Sequence, residues 1–103
     1  MDRSDKITLI ACTYEVDAIG QRVPVEHRAD VYCNVRSVSM TEFFAAGKSG
    51  ISPDYKVTVF DAEYEGEQIA EYRGVRYAIY RSYLGANETR ELYLTRQEGV
   101  THV

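Results

Sequence analysis

The chain has 103 residues, of which 45% are hydrophobic and 27% charged, as is ordinary for a soluble globular domain. A chain of this length buries roughly two-thirds of its unfolded surface, so we predict one core and a single domain over residues 1–103. The formal net charge is −4, with acidic residues spread along the chain. This balance argues against electrostatic binding of duplex DNA, which needs clustered Lys and Arg.

The first predicted strand runs from Lys6 to Val16 and carries apolar side chains on both faces, as in a barrel or sandwich. Its apolar run is far shorter than the ~20 residues of a membrane span. A signal-peptide pattern is also lacking, so we expect folding in a reducing cytoplasm. Cys12 and Cys33 lie in strand-like apolar runs and are predicted to be buried thiols. A disulfide between them requires their strands to be neighbours.

A turn at Gly20 is followed by two further predicted strands. Arg22 to Arg28 could return beside the first strand, but Pro24 cannot donate to a ladder, which predicts an edge. Val31 to Val38 alternates between two faces and is predicted as a separate strand.

The spacing of apolar residues then changes to that of a helix between Ser39 and Gly50. Ser39 and Glu42 fit a capping box, in which the Ser hydroxyl accepts from the Glu amide and the Glu carboxylate reaches back to the Ser amide. Met40, Phe43 and Phe44 fall on one helical side. A helix of about two turns is too short to be stable alone, so it must dock, either on its own barrel or on another subunit.

The remaining strands are separated by frequent turn residues. Tyr55 to Tyr64 starts as a strand whose alternation slips, which predicts a bulge or bend near Phe60. Gln68 to Tyr72 and Val75 to Leu84 form a predicted hairpin across Arg73-Gly74. Glu91 to Thr95 is the last predicted strand, and the tail through His102 is expected to be mobile. The fold class is therefore mainly all-β, a small antiparallel barrel or sandwich with long loops and one short helix near 40–47.

Catalytic and metal-binding patterns are not evident. His27 and His102 have no nucleophile-like partner nearby in the sequence, and the cysteines lack a zinc-ligand spacing. We therefore predict no enzyme activity, no metal and no cofactor. Tyr77, Tyr80 and neighbouring arginines partly match a base-stacking barrel, which leaves a single-stranded nucleic-acid-binding domain as an alternative. Tyr77 and Tyr80 are three residues apart, however, so a regular strand would point them to opposite faces.

Four groups of residues in order carry a family resemblance that spans roughly Ile7 to Gly99. They are Val35-Arg36-Ser37-Val38 leading into Ser39-Met40-Thr41-Glu42-Phe43, then Tyr55-Lys56-Val57, then Glu71 to Arg81, and finally Glu91-Leu92-Tyr93-Leu94. In these features the chain resembles the small head-closure proteins, also called head–tail connector, adaptor or joining proteins, of long-tailed bacteriophages and prophages.

The resemblance implies a virion structural protein, made in the bacterial cytoplasm, that forms a ring beneath the portal and adaptor rings. Such a ring closes the DNA-filled head and offers a surface to the tail. The expected partners are other copies of the chain, portal or adaptor proteins and a tail-terminator or tail-completion protein. Self-association into the ring is expected on assembly, from a free subunit that can be monomeric. DNA is expected to pass through without specific binding, and no membrane contact is expected. A tail-terminator or other tail-side connector is the alternative.

The resemblance also implies that the segment from Ser39 to Asp54 serves assembly or faces the channel. The candidate residues there are Ser39, Thr41, Glu42, Phe43, Phe44, Lys48 and Asp54. A ring needs contacts between two different faces of neighbouring subunits. The exposed strand edges and the arm that contains Pro24 are further candidate surfaces.

Overall fold

Six antiparallel strands make up most of residues 5–96, the part of the chain that the computed structural model describes. The elements in chain order are β1 (Asp5–Val16), β2 (Arg22–Arg36), α1 (Met40–Gly47), β3 (Tyr55–Phe60), a 3-10 turn (Asp61–Glu63), β4 (Ile69–Tyr72), β5 (Val75–Leu84) and β6 (Thr89–Arg96). The strands close into a barrel in the order β1-β2-β3-β6-β5-β4. The prediction of a small β-barrel with one short helix is confirmed, and the barrel replaces the sandwich alternative.

The core fills the barrel interior, because alternate residues of every strand point inward. Its buried members are Ile7, Leu9, Val31, Cys33, Val57, Val59, Ala70, Tyr72, Tyr77, Leu92 and Leu94. Tyr55 packs edge-to-face on both Tyr72 and Tyr77, with ring centroids 5.6 Å apart in each pair. These three rings join the aliphatic core, so part of the tyrosine content is structural.

One strand replaces two that the sequence predicted separately. β2 is continuous over Arg22–Arg36, and Ala29 and Asp30 pair in register with Leu9 and Thr8. The Thr8 hydroxyl donates to the Asp30 carboxylate at 2.7 Å, which places a polar pair inside a regular ladder. An Asp in mid-strand is unfavourable by propensity alone, and this cross-strand partner offsets that cost.

The far halves of β1 and β2 leave the barrel as a two-stranded arm, residues 11–28. β1 pairs with β4 only over Thr8–Ile10, and β2 pairs with β3 only over Asn34–Arg36, whereas β1 and β2 pair with each other through Val16 and Arg22. The prediction that Pro24 lies in an edge strand is confirmed. The prediction of two-faced burial along β1 is wrong beyond Ile10, because the arm has no barrel around it.

The two cysteines therefore differ in environment. Cys33 is fully buried, whereas Cys12 lies on the arm and is exposed, which contradicts its predicted burial. Their strands are neighbours, but Cys33 is in register with Asp5 and Cys12 with Glu26, so both thiols are free. Burial raises the pKa of the Cys33 thiol to about 12, which keeps it protonated and unreactive.

The turns follow the chemistry of their residues. Arg73 and Gly74 both have positive φ, 52° and 80°, and form the predicted tight hairpin turn between β4 and β5. β3 ends at Phe60, where the 3-10 turn begins, which confirms the predicted bend. The tail with His102 lies outside the described residues.

Candidate assembly surface

The connection between β2 and β3, residues 37–54, holds all seven predicted assembly residues and contains α1. Ser39 caps the helix, because its hydroxyl accepts a hydrogen bond from the Glu42 amide at 3.2 Å. This half of the predicted capping box is confirmed. The other half is not formed, because the Glu42 carboxylate turns to the barrel instead.

Glu42 joins the helix to β5. Its carboxylate accepts a hydrogen bond from the Tyr80 hydroxyl at 2.9 Å and lies 3.6 Å from the Arg81 guanidinium. Burial, followed by this hydrogen bond, raises the pKa of Tyr80 above its ordinary value, so the hydroxyl stays protonated as a donor. We call these three residues the Glu42 clamp. It is the polar connection that sets the orientation of α1 on the barrel.

The far end of the segment is also tied to the barrel. The Asp54 amide donates to the Leu94 carbonyl at 2.8 Å, and its carboxylate accepts from the Arg96 amide at 2.7 Å. The Thr95 hydroxyl donates to the Ser52 carbonyl at 2.8 Å. Asp54 therefore has a defined structural role as an anchor on β6, and the segment is fixed at both ends.

Between these two anchors, α1 presents an apolar face to solvent. Met40 is 68% exposed, Phe43 44% and Phe44 63%, while Ala46 is the one fully buried residue of the helix. The two Phe rings lie edge-to-face with centroids 6.1 Å apart, so they form one continuous patch. We call Met40, Phe43 and Phe44 the apolar face of α1. The short helix docks on its own barrel through Glu42 and Ala46, and its aromatic side remains uncovered.

Thr41 and Lys48 flank this face and are exposed. Lys48 is the C-cap of α1, and its amide donates to the Phe44 carbonyl at 3.3 Å. The seven predicted residues therefore separate by role. Ser39, Glu42 and Asp54 hold the segment, whereas Phe43 and Phe44 face outward together with the flanking Thr41 and Lys48.

The tyrosines of β5 and β6 divide between the two faces of the barrel, as their spacing predicted. Tyr77 points into the core, while Tyr80, on the other face, packs against Tyr93, which also contacts Tyr83. A register shift between Ile79 and Arg81 places Tyr80 toward the helix. Tyr93 is buried, so Tyr83 is the ring of this group that is most open to solvent. Such an arrangement supports α1 and offers no row of free rings for stacking.

Sequence reasoning missed the residues that hold the segment in place. Tyr80 and Arg81 are 38 and 39 positions beyond Glu42, and Ser52 is paired with a strand 43 positions away. No local pattern encodes such pairs. The one local signal is Glu42 itself, because the carboxylate of a capping-box Glu can bind a residue outside the helix instead of the Ser39 amide.

The described residues 5–96 contain no group of three or more His, Cys, Asp or Glu that could hold a metal ion. No helix in this range is long and apolar enough to cross a membrane. The chain matches no protein-family model and no curated protein.

Proposed function

We propose that the chain is a structural subunit of a bacteriophage or prophage virion. In this role it forms a ring at the portal vertex that closes the DNA-filled head and provides the surface to which the tail attaches. The observation that carries the proposal is the apolar face of α1, held outward between two anchors on a closed barrel. Contiguous apolar patches on a protein surface are typical of sites that contact other proteins, membranes or ligands.

Two further observations support a role in assembly. The arm protrudes from the barrel and exposes Tyr14, Val16 and Ile19, which form a second apolar surface on a different element from the first. Contacts between two different surfaces of neighbouring subunits generate rings when the rotation closes. The resemblance to head-closure proteins is carried by residues of the barrel and of the segment 37–54. They include the end of the strand before α1 and the β4–β5 hairpin.

The charge of the chain fits a channel that DNA passes through. A net charge of −4 gives no strong attraction to phosphates, so a ring of such subunits would not retain the genome by ion pairing. The alternative of a base-stacking barrel is less favoured, because Tyr77 and Tyr93 are buried and Tyr80 is engaged by Glu42.

Complementation of defective heads tests the proposal. DNA-filled heads are prepared from the encoding phage or prophage with this gene inactivated, and the purified chain is added before tails. We expect the heads to retain their DNA and to gain tails, counted by electron microscopy and infectivity. Heads that are already closed and tailed without the chain would contradict the role. Restoration when the chain is first incubated with tails rather than heads would indicate a tail-side connector instead.

Binding to single-stranded DNA provides the control for the alternative function. The chain contains no Trp, so tyrosine fluorescence reports on base stacking directly. We expect no saturable change when an oligonucleotide is titrated at physiological salt. Saturable quenching would favour the nucleic-acid-binding barrel.

A further inference from the structure

The arm, residues 11–28, has two open edges. On one side, β1 loses its β4 partner after Ile10, and on the other, β2 has no β3 partner before Asn34. Open strand edges present unpaired backbone N–H and C=O groups that readily accept another strand. Six residues beyond Ile10 extend the arm by about 20 Å, at about 3.4 Å per residue.

The arm is a preformed ribbon and not a loose loop. Its tip is closed by Asp17, whose carboxylate accepts from the amides of Ile19 and Gln21 at 3.0 and 2.9 Å. Its base is held by Glu26, which receives two hydrogen bonds from Arg76 of β5 at 3.0 and 3.1 Å. The hydrogen bond from Arg76 lowers the pKa of Glu26 below its ordinary value.

The protrusion is visible in the dimensions of the molecule. The radius of gyration is 15.1 Å and the longest axis 50 Å, whereas a compact domain of this length has a radius of about 13 Å. Tyr14, Val16 and Ile19 on the arm are each more than half exposed. An ordered ribbon with large apolar side chains in solvent is a surface that another chain can cover.

We propose that the open β2 edge of one arm pairs with the open β1 edge of the arm on the next copy of this chain. This inference rests on the proposed ring and names the contact that would build it. Rotation about an axis along the arms leaves strand direction unchanged, so β1 runs one way and β2 the other in every copy. The β2 edge of one copy therefore meets the β1 edge of its neighbour antiparallel, which is the pairing already used within each arm.

The side chains of the two edges are compatible with this pairing. If neighbouring arms repeat the internal register, Cys12 lies opposite Glu26, Tyr14 opposite Pro24 and Val16 opposite Arg22, so no like charges meet. Within a single arm, the Arg22 guanidinium lies 4.7 Å from the centroid of the Tyr14 ring. Pro24 has no backbone N–H to donate, so the longest run of β2 residues with intact backbone donors begins at Val25.

Room for the incoming strand is present beside β1. An open groove of about 410 Å³ runs along Ala11 and Cys12 and is bordered on its other side by Gln68 and Ile69. The start of β4 forms the wall of this groove, so it defines how far the neighbouring β2 can extend toward the barrel. Pairing that joins two different edges is heterologous, as a closed ring requires.

Disulfide trapping between two chains tests the pairing. The wild-type chain provides Cys12 on β1, and a second chain carries Cys12→Ser together with Glu26→Cys on β2. Each chain then has one reactive thiol, since Cys33 is buried with a pKa raised to about 12. The two chains are mixed in equal amounts, added to the defective heads and oxidised, and heterodimers and both homodimers are then counted by mass spectrometry. Pro24→Cys and Arg28→Cys in the Cys12→Ser chain, each replacing Glu26→Cys, give the neighbouring registers.

Random pairing would make half of all disulfide-linked dimers heterodimers. We expect a heterodimer fraction well above one half with Cys at one of the three β2 positions. The control chain, Cys12→Ser with Ser49→Cys, should give no such excess. Ser49 is exposed, lies just after α1 in the chain and is not part of the arm. A random distribution would overturn the proposal, and an excess of either homodimer would show that equal edges pair instead. If heads are complemented but the heterodimer is not enriched, the ring function stands and the arm contact is wrong.

Discussion

The barrel and the elements outside it follow opposite rules for apolar residues. Inside the barrel, Leu9, Val57 and Leu92 are completely buried, and the tyrosines pack on one another. In the arm and on α1, side chains of similar size, such as Tyr14 and Phe44, are mostly in solvent. The buried residues of the barrel stabilise the fold. We propose that the exposed apolar residues of the arm and of α1 have a different task, which is contact with other proteins.

The largest expected effect separates two leucines by position. Leu94→Ala in the core should lower the free energy of unfolding by about 2 to 5 kcal/mol, because it removes transfer energy and leaves a cavity. The matched change Leu84→Ala, at a residue that is 66% exposed, should alter it by less than about 0.5 kcal/mol. Urea denaturation followed by circular dichroism measures both. Similar losses for the two variants would contradict the assignment of the core.

The next effect concerns the Glu42 clamp. Tyr80→Phe keeps the ring but removes the donor to Glu42, and should cost about 1.5 kcal/mol, at the low end for a hydrogen bond to a charged group because Arg81 remains nearby. The matched control is Tyr83→Phe, whose exposed hydroxyl accepts from Arg81 at 3.0 Å and which should cost less. Equal losses in urea denaturation would show that the clamp has no special role.

The Glu42 clamp also predicts that the stability of the fold depends on pH in the alkaline range. Burial raises the folded-state pKa of Tyr80, whereas in the unfolded chain it is about 10. The stabilisation is therefore complete below pH ~10 and is lost as the pH rises through the higher folded value. The difference between wild type and Tyr80→Phe should be constant from neutral pH to about 10 and then shrink. A difference that grows with alkaline pH would reverse the assigned protonation state.

A smaller effect, of opposite sign, is expected in the turn between β5 and β6. Glu88 has a φ of 62°, in the left-handed region, and the Thr89 amide closes the turn on Ala86 at 3.2 Å. Glu88→Gly should stabilise the chain by about 0.5 to 1 kcal/mol, because relief of strain exceeds the added entropy of the unfolded Gly. Glu63→Gly, at a residue outside the positive-φ region, should destabilise it. A thermal melt that shows both variants destabilised would exclude strain at Glu88.

Local patterns were sufficient for most of the fold. Alternation located the strands around Val57, Tyr72 and Ile79, the Ser39 cap located the helix, and Pro24 indicated an edge. These signals are local, since each depends on residues within one turn or one strand. They also place Tyr77 and Tyr80 on opposite faces of β5, which argues against a base-stacking surface.

The errors arose where burial depends on distant strands. Cys12 and Tyr14 have the composition of a buried strand, but no partner strand extends far enough to cover them. Likewise, the Phe side of α1 is apolar, but the side that docks on the barrel is the one with Glu42 and Ala46, where Glu42 binds a partner 38 positions away in the chain. Sequence periodicity shows which side chains share a face and does not show what covers that face.

The effect of Phe44→Ala on tail attachment tests the separation of tasks most directly. Because Phe44 is 63% exposed, the variant should keep the wild-type melting temperature. It should need a concentration about tenfold higher or more to complement heads, which corresponds to a loss of about 1.4 kcal/mol of binding free energy. Leu84→Ala, also exposed but far from α1 in the chain, should complement normally. A lower melting temperature with normal tail attachment would show that Phe44 belongs to the core. Normal values of both would show that the apolar face of α1 serves neither task.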